Sequence, residues 1–126
     1  MATYIHSIHH VNFPTTDRDR TREWYGKVFG MEQDDVSHLS DTTVLLMTTG
    51  QCDLHFTPVK EMQRMWPFHY AVEVNDWDAF MAHLDELGIE YTKARLRPQN
   101  NSKTCSIKDP DGTIIEITYH GERHKT

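Results

Sequence analysis

The sequence predicts an α+β fold made of two tandem βαβββ modules, and three observations predict it. A shift of 59 residues carries His10 onto His69 and Asp17 onto Asp76, so the chain repeats itself. Each half holds one helical stretch with an Asp before it and a Gly after it. The remaining segments alternate apolar and polar residues with the period of two that strands require.

Taken in order, Ile8 to Phe13 reads as a first strand, closed by Pro14. Thr16 or Asp17 can cap the helix that follows. Trp24, Tyr25, Val28 and Phe29 line one face of it, and Gly30 supplies its stop. A short strand is expected around Met31 to Val36, then strands over Asp41 to Met47 and Cys52 to Thr57. The second helix spans Trp77 to Leu87 and stops at Gly88, one residue short of strict register with Gly30. Strands are expected at Ile89 to Thr92 and Thr104 to Lys108, separated by a loop at Arg97 to Lys103. Asp109-Pro110-Asp111-Gly112 is a tight turn into a closing β-branched strand that ends near Thr118. The organisation is one domain over 1–126, with module one at 5–58, a linker at 59–67 and module two at 68–120.

Each helix can cover one face of its sheet, which leaves the other two faces to meet as an incomplete barrel around a cavity. Alternation says which side chains go there. Val11 and Phe13 oppose His10 and Asn12; Leu54 and Phe56 oppose Asp53, His55 and Thr57. Tyr70, Val72 and Val74 oppose His69, Ala71 and Glu73, while Ile115 and Ile117 oppose Glu116. Four strands thus put His or Glu on the face away from the helix. If an approximate two-fold axis relates the halves, His10 and His69 are equivalent, and His55 nearly so with Glu116. Imidazoles and a carboxylate without thiolates suit Zn²⁺, Ni²⁺, Fe²⁺ or Mn²⁺, and two His with one carboxylate leave positions open for substrate. His9 faces the other way and is expected to be structural or on the surface, as are His6, His38, His83, His120 and His124 on the surface.

Composition narrows the classes further. A formal charge of −6 argues against nucleic acid or an anionic membrane as partner. No apolar run reaches the ~20 residues of a membrane span, and the N-terminus lacks the basic and apolar regions of a signal peptide. Cys52 and Cys105 are too few for a disulfide framework, so the expectation is a reduced, cytoplasmic protein.

The pattern resembles the vicinal oxygen chelate superfamily of glyoxalase I, extradiol dioxygenases, fosfomycin-resistance thiol transferases and bleomycin-binding proteins. The residues that carry the resemblance are His9-His10-Val11-Asn12, Trp24-Tyr25 and Phe29-Gly30-Met31, then His69-Tyr70-Ala71-Val72-Glu73-Val74, Leu87-Gly88-Ile89, Asp109-Pro110-Asp111-Gly112 and Ile115-Glu116-Ile117. The resemblance implies metal-ligand roles for His10, His69 and Glu116. A fourth ligand would be His55 or, as a weaker candidate, Asp53, where glyoxalase I-like members usually have Glu. It also implies a homodimer in which the two halves of a site can come from different chains.

The leading expectation is a glyoxalase-like lyase or isomerase that chelates vicinal oxygens of a small molecule on a divalent metal, with Glu116 and Glu73 as catalytic carboxylates. Three other readings compete with it. A fosfomycin-type thiol transferase would bind phosphonate through Ser102, Lys103, Thr104 and Lys125. An extradiol dioxygenase would use His55 as acid/base. A metal-free, bleomycin-resistance-like binding protein would line its cavity with Trp66, Phe68, Trp77 and Tyr91.

Overall fold

The computed structural model describes residues 3–34, 43–63 and 66–121. The chain divides into two compact units, Met1–Gln63 and Arg64–Thr126. The first holds strand β1 (Val11–Thr15), helix α1 (Arg18–Phe29) and strands β2 (Glu32–Gln33), β3 (Leu45–Thr48) and β4 (Asp53–Pro58). The second holds β5 (His69–Glu73), α2 (Trp77–Leu87), β6 (Arg95–Arg97), β7 (Ser102–Lys108) and β8 (Ile114–Tyr119). Each forms a four-stranded mixed sheet, in the orders β1-β4-β3-β2 and β5-β8-β7-β6. The opening strand of each unit pairs parallel with its closing strand, and the other pairs are antiparallel. The repeat read from the sequence is therefore a repeat of βαβββ topology.

Both helices end as their residues dictate. Asp17 accepts from the Arg20 amide at 3.0 Å, and Asp76 accepts from the Ala79 amide at 3.0 Å. Gly30 and Gly88 close the helices in the left-handed conformation, at φ 69° and 71°. Helix α1 packs on β2 and β3. Under it Tyr25 meets Phe56 with ring centroids 4.6 Å apart, both fully buried. In the second unit Trp77 and Leu84 of α2 are buried, as are Cys105, Ile107, Ile115 and Ile117 on β7 and β8. Helix-side apolar and opposite-side polar faces alternate as expected on β4, β5 and β8. Among the described residues no helix is long and apolar enough to cross a membrane.

Three expectations shift. The first strand was expected at Ile8 to Phe13 and lies at Val11–Thr15, with Pro14 inside it. It is the edge of its sheet, bonded only to β4, so a residue without an N–H costs it nothing on the open side. His10 consequently precedes the strand. The strand expected at Ile89 to Thr92 lies instead at Arg95–Arg97. The Ile89 amide is spent on the helix end, donating to the Leu84 carbonyl at 2.9 Å. Thr92 does run beside β7, but its hydroxyl, not its carbonyl, takes the Ser106 amide at 2.9 Å. The strand expected from Asp41 begins at Leu45; residues 41–42, and 35–36 of the short strand before it, lie outside the described residues.

Candidate metal and substrate site

In the first unit the imidazoles of His10 and His55 stack face to face, 3.8 Å between centroids and 19° between planes. His55 sits on β4 opposite Asn12 of β1, and the Asn12 amide oxygen accepts from Thr57 at 3.0 Å. His9, expected to be structural or on the surface, is exposed, and its Nδ1 lies 2.9 Å from Nδ1 of His10. One of these two nitrogens donates to the other, which fixes the His10 ring and leaves its Nε2 outside that bond. Partial burial, and then the neighbouring His10, hold the His55 imidazole below its ordinary value of 6.5, against an opposing pull from Asp53. Both effects keep His55 in the neutral form that can donate a lone pair.

A prediction follows for the titration of His55. Followed by NMR, its ring protons should titrate below pH 6.5, and His10→Ala should move the midpoint upward. Between the native midpoint and 6.5 the unfolded chain binds more protons than the folded one. This contribution to stability therefore falls as the pH is lowered through that window. A midpoint unmoved by His10→Ala would contradict the contribution of the stacked His10 and leave burial as the cause.

The second unit presents a different pair. His69 opens β5, and its Nδ1 lies 3.1 Å from the Pro67 carbonyl oxygen. A carbonyl only accepts, so Nδ1 carries the hydrogen and Nε2 of the neutral ring has the lone pair. That Nε2 lies 4.0 Å from Oε2 of Glu116. The other oxygen, Oε1, accepts from the Thr104 hydroxyl at 3.0 Å. His69 and Glu116 both line a concavity of about 770 Å³. Trp66, Thr104 and Ser106 share it with the cations Lys93, Arg95 and Arg97. Cys105 also borders it but is nearly buried, and burial pushes its thiol up to about 11, so it stays protonated.

Glu73, expected as a catalytic carboxylate, shares the strand face of His69 but stands four residues along it, about 13 Å at strand rise. Its Oε1 accepts from His120 Nδ1 at 2.6 Å and from the Thr118 hydroxyl at 3.1 Å. His120, expected on the surface, is thereby half-buried at the far end of the sheet. Of the aromatics expected around a ligand, Trp66 lines the concavity, Trp77 is core, and the Tyr91 hydroxyl donates to Asp85 at 2.8 Å. Phe68 is exposed. Of the residues expected to meet a phosphonate, Thr104 is at the concavity, Ser102 is buried and Lys103 alternates to the other face of β7. Lys125, like His38 and His124, lies outside the described residues.

The model of the Glyoxalase/Bleomycin resistance protein/Dioxygenase superfamily matches residues 7–117. The chain belongs to this superfamily. Solved structures agree with it in fold. A provisionally assigned glyoxalase family protein from Bacillus anthracis superposes with a TM-score of 0.80 at 25% identity, covering 95% of this chain and 99% of that one. The fosfomycin resistance protein FosX from Mesorhizobium loti gives 0.72 at 16% identity, over 97% and 98% of the two chains. A bleomycin resistance determinant encoded on transposon Tn5 gives 0.72 at 17% identity, over 91% and 98%.

The superfamily includes enzymes and binding proteins and often uses metals, so the donor set must be tested against that use. Among the described residues no three or more His, Cys, Asp or Glu gather as a metal site. What each unit offers is a pair: His10 with His55, and His69 with Glu116. In the second pair His69 Nε2 and Glu116 Oε2 lie 4.0 Å apart, wider than the roughly 3.4 Å that two bonds of about 2.1 Å span at a tetrahedral ion, so the two side chains have to close slightly to share one. Within the second unit, an imidazole nitrogen beside a carboxylate oxygen is a donor pair that suits a borderline divalent ion.

Proposed function

We propose that this superfamily member is a glyoxalase-like metalloenzyme, a lyase or isomerase acting on vicinal oxygens of a small molecule. His10, His55, His69 and Glu116 hold its Zn²⁺, Ni²⁺, Fe²⁺ or Mn²⁺ ion. The two donor pairs complete one centre, within a chain or between the chains of a homodimer. The supporting observation is the His69 Nε2 lone pair facing Glu116 Oε2 at 4.0 Å in the wall of a substrate-sized concavity. When bound, the ion supplies Lewis-acid stabilisation of negative charge developing on a substrate oxygen.

The chain's own residues do the rest. Pro67 fixes the tautomer of His69, His9 orients His10, and Thr104 holds one oxygen of Glu116 so that the other faces the concavity. A proton moved from carbon needs a base within about 3 Å of it. Glu73 is engaged by His120 and Thr118 at the other end of β5, so the role falls to the Glu116 carboxylate, whose Oε2 would act as base only while it does not hold the ion.

The test is metal analysis of the purified protein, followed by hemithioacetal turnover in the Ni²⁺, Zn²⁺ and Fe²⁺ forms. One bound ion per site and turnover in at least one form are expected. Protein that takes up no metal, or a His10→Ala variant that binds it as tightly as wild type, would overturn the reading. The exposed Trp66 at the concavity favours one second reading, a metal-free binding protein. That reading predicts quenching of tryptophan fluorescence by a ligand in chelator-treated protein, without turnover.

A further inference from the structure

We propose that the concavity of the second unit recognises an anionic substrate, a small carboxylate or phosphonate, through Arg95 and Arg97. This rests on the proposed function only in taking the chelated molecule and the anion to be one substrate.

The placement comes from strand register. Arg95 pairs with Thr104, and Arg97 pairs with Ser102. Paired residues point to the same side of a sheet, and the Thr104 hydroxyl touches Glu116, so Arg95 projects from the face that carries Glu116. Arg97, two residues on, projects with it, and Leu96 between them faces away. Lys93 joins them from the segment that Thr92 ties to Ser106 with two hydrogen bonds, of 3.0 and 2.9 Å. All three cations line the concavity, and among the described residues none of them meets a carboxylate. Among the described residues Glu116 is the one carboxylate in that wall. A chain of formal charge −6 has thus collected an excess of positive charge at the wall where His69 and Glu116 stand.

β6 is an edge strand, and edge strands often carry cations that discourage pairing with another sheet. That role needs charge on the strand but not a shared face. Here both guanidinium groups take the concave face, and the side chain turned away is an exposed Leu96. Guanidinium is the group that meets carboxylate or phosphonate with two parallel hydrogen bonds. β6 and β8 are separated only by β7, about 10 Å at ordinary strand spacing, so one small molecule can meet Arg95 at one end and His69 with Glu116 at the other.

The test is calorimetric titration of the chelator-treated full chain with benzoate, phenylphosphonate and phenol. At least one anion should bind and phenol should not, and the tighter anion assigns carboxylate or phosphonate. Binding should weaken as salt rises. Arg95→Gln with Arg97→Gln should weaken it about tenfold or more, and Arg95→Lys with Arg97→Lys should retain part of it. Glu116→Gln should leave anion binding intact or tighten it. The proposal is overturned if phenol binds as well as the anions, or if the Gln double variant, native by circular dichroism, binds like wild type. It is overturned equally if wild-type binding is indifferent to salt. Failure of the metal reading looks different: no metal uptake, with anion binding unimpaired.

Discussion

Glu116→Gln is expected to lower the affinity for a divalent cation by about a hundredfold or more, with little change in fold stability. The substitution keeps shape and polarity but removes the one anionic donor of the proposed set. Glu116 is about one-third exposed, its Oε2 makes no described hydrogen bond, and His69 is 4.0 Å away, so the fold loses little with the charge. Thr104→Ala should act through Glu116, by freeing Oε1 and letting the carboxylate rotate. A loss of about tenfold in metal affinity is expected, the range of second-sphere changes. The check is competition of each variant with a chromophoric chelator, beside its urea midpoint. If Glu116→Gln binds Zn²⁺ and Ni²⁺ like wild type, Glu116 is not a ligand, and the odd carboxylate in an apolar strand is merely a partner of Thr104.

Much of this arrangement was legible in the sequence because strand side chains alternate and the chain repeats. Glu116 between Ile115 and Ile117 had to face away from the core, and both isoleucines are fully buried. The helices were legible for a similar reason: Asp17, Gly30, Asp76 and Gly88 are local signals, and each is used locally. Signals that depend on distant partners were not. Arg95 and Arg97 alternate across Leu96, the pattern of a strand, but Ile89-Glu90-Tyr91-Thr92 alternates too and carries the β-branched and aromatic residues that strands favour. Only the helix end, which consumes the Ile89 amide, rules that run out. Strand alternation turns His9 away from the polar face and nothing local marks His120, so neither residue's partner is visible in the sequence. Their partners, His10 and Glu73, are met through a loop before β1 and through β5–β8 pairing 47 residues apart in sequence.

The turn that leads into β8 carries the second large effect. Asp109 is nearly buried, and its Oδ1 accepts from the Asp111 amide at 2.9 Å and the Thr113 amide at 3.0 Å. The backbone closes the same turn, with the Gly112 amide on the Asp109 carbonyl and the Asp109 amide on the Thr113 carbonyl. Gly112, at φ 87°, takes a conformation that other residues adopt at a cost. Asp109→Ala keeps the backbone bonds but strands the fully buried Thr113 amide, so a loss of about 2–4 kcal/mol is expected. Asp109→Asn retains an oxygen at Oδ1 and should lose about half as much, which separates the lost acceptor from lost packing. Urea denaturation is the check, with the midpoint falling and the slope unchanged. Thr113 immediately precedes β8, in which Glu116 is the third residue, so the variant should bind metal normally once folded. A loss below about 1 kcal/mol in Asp109→Ala would mean that the β7–β8 pairing holds that register without the turn.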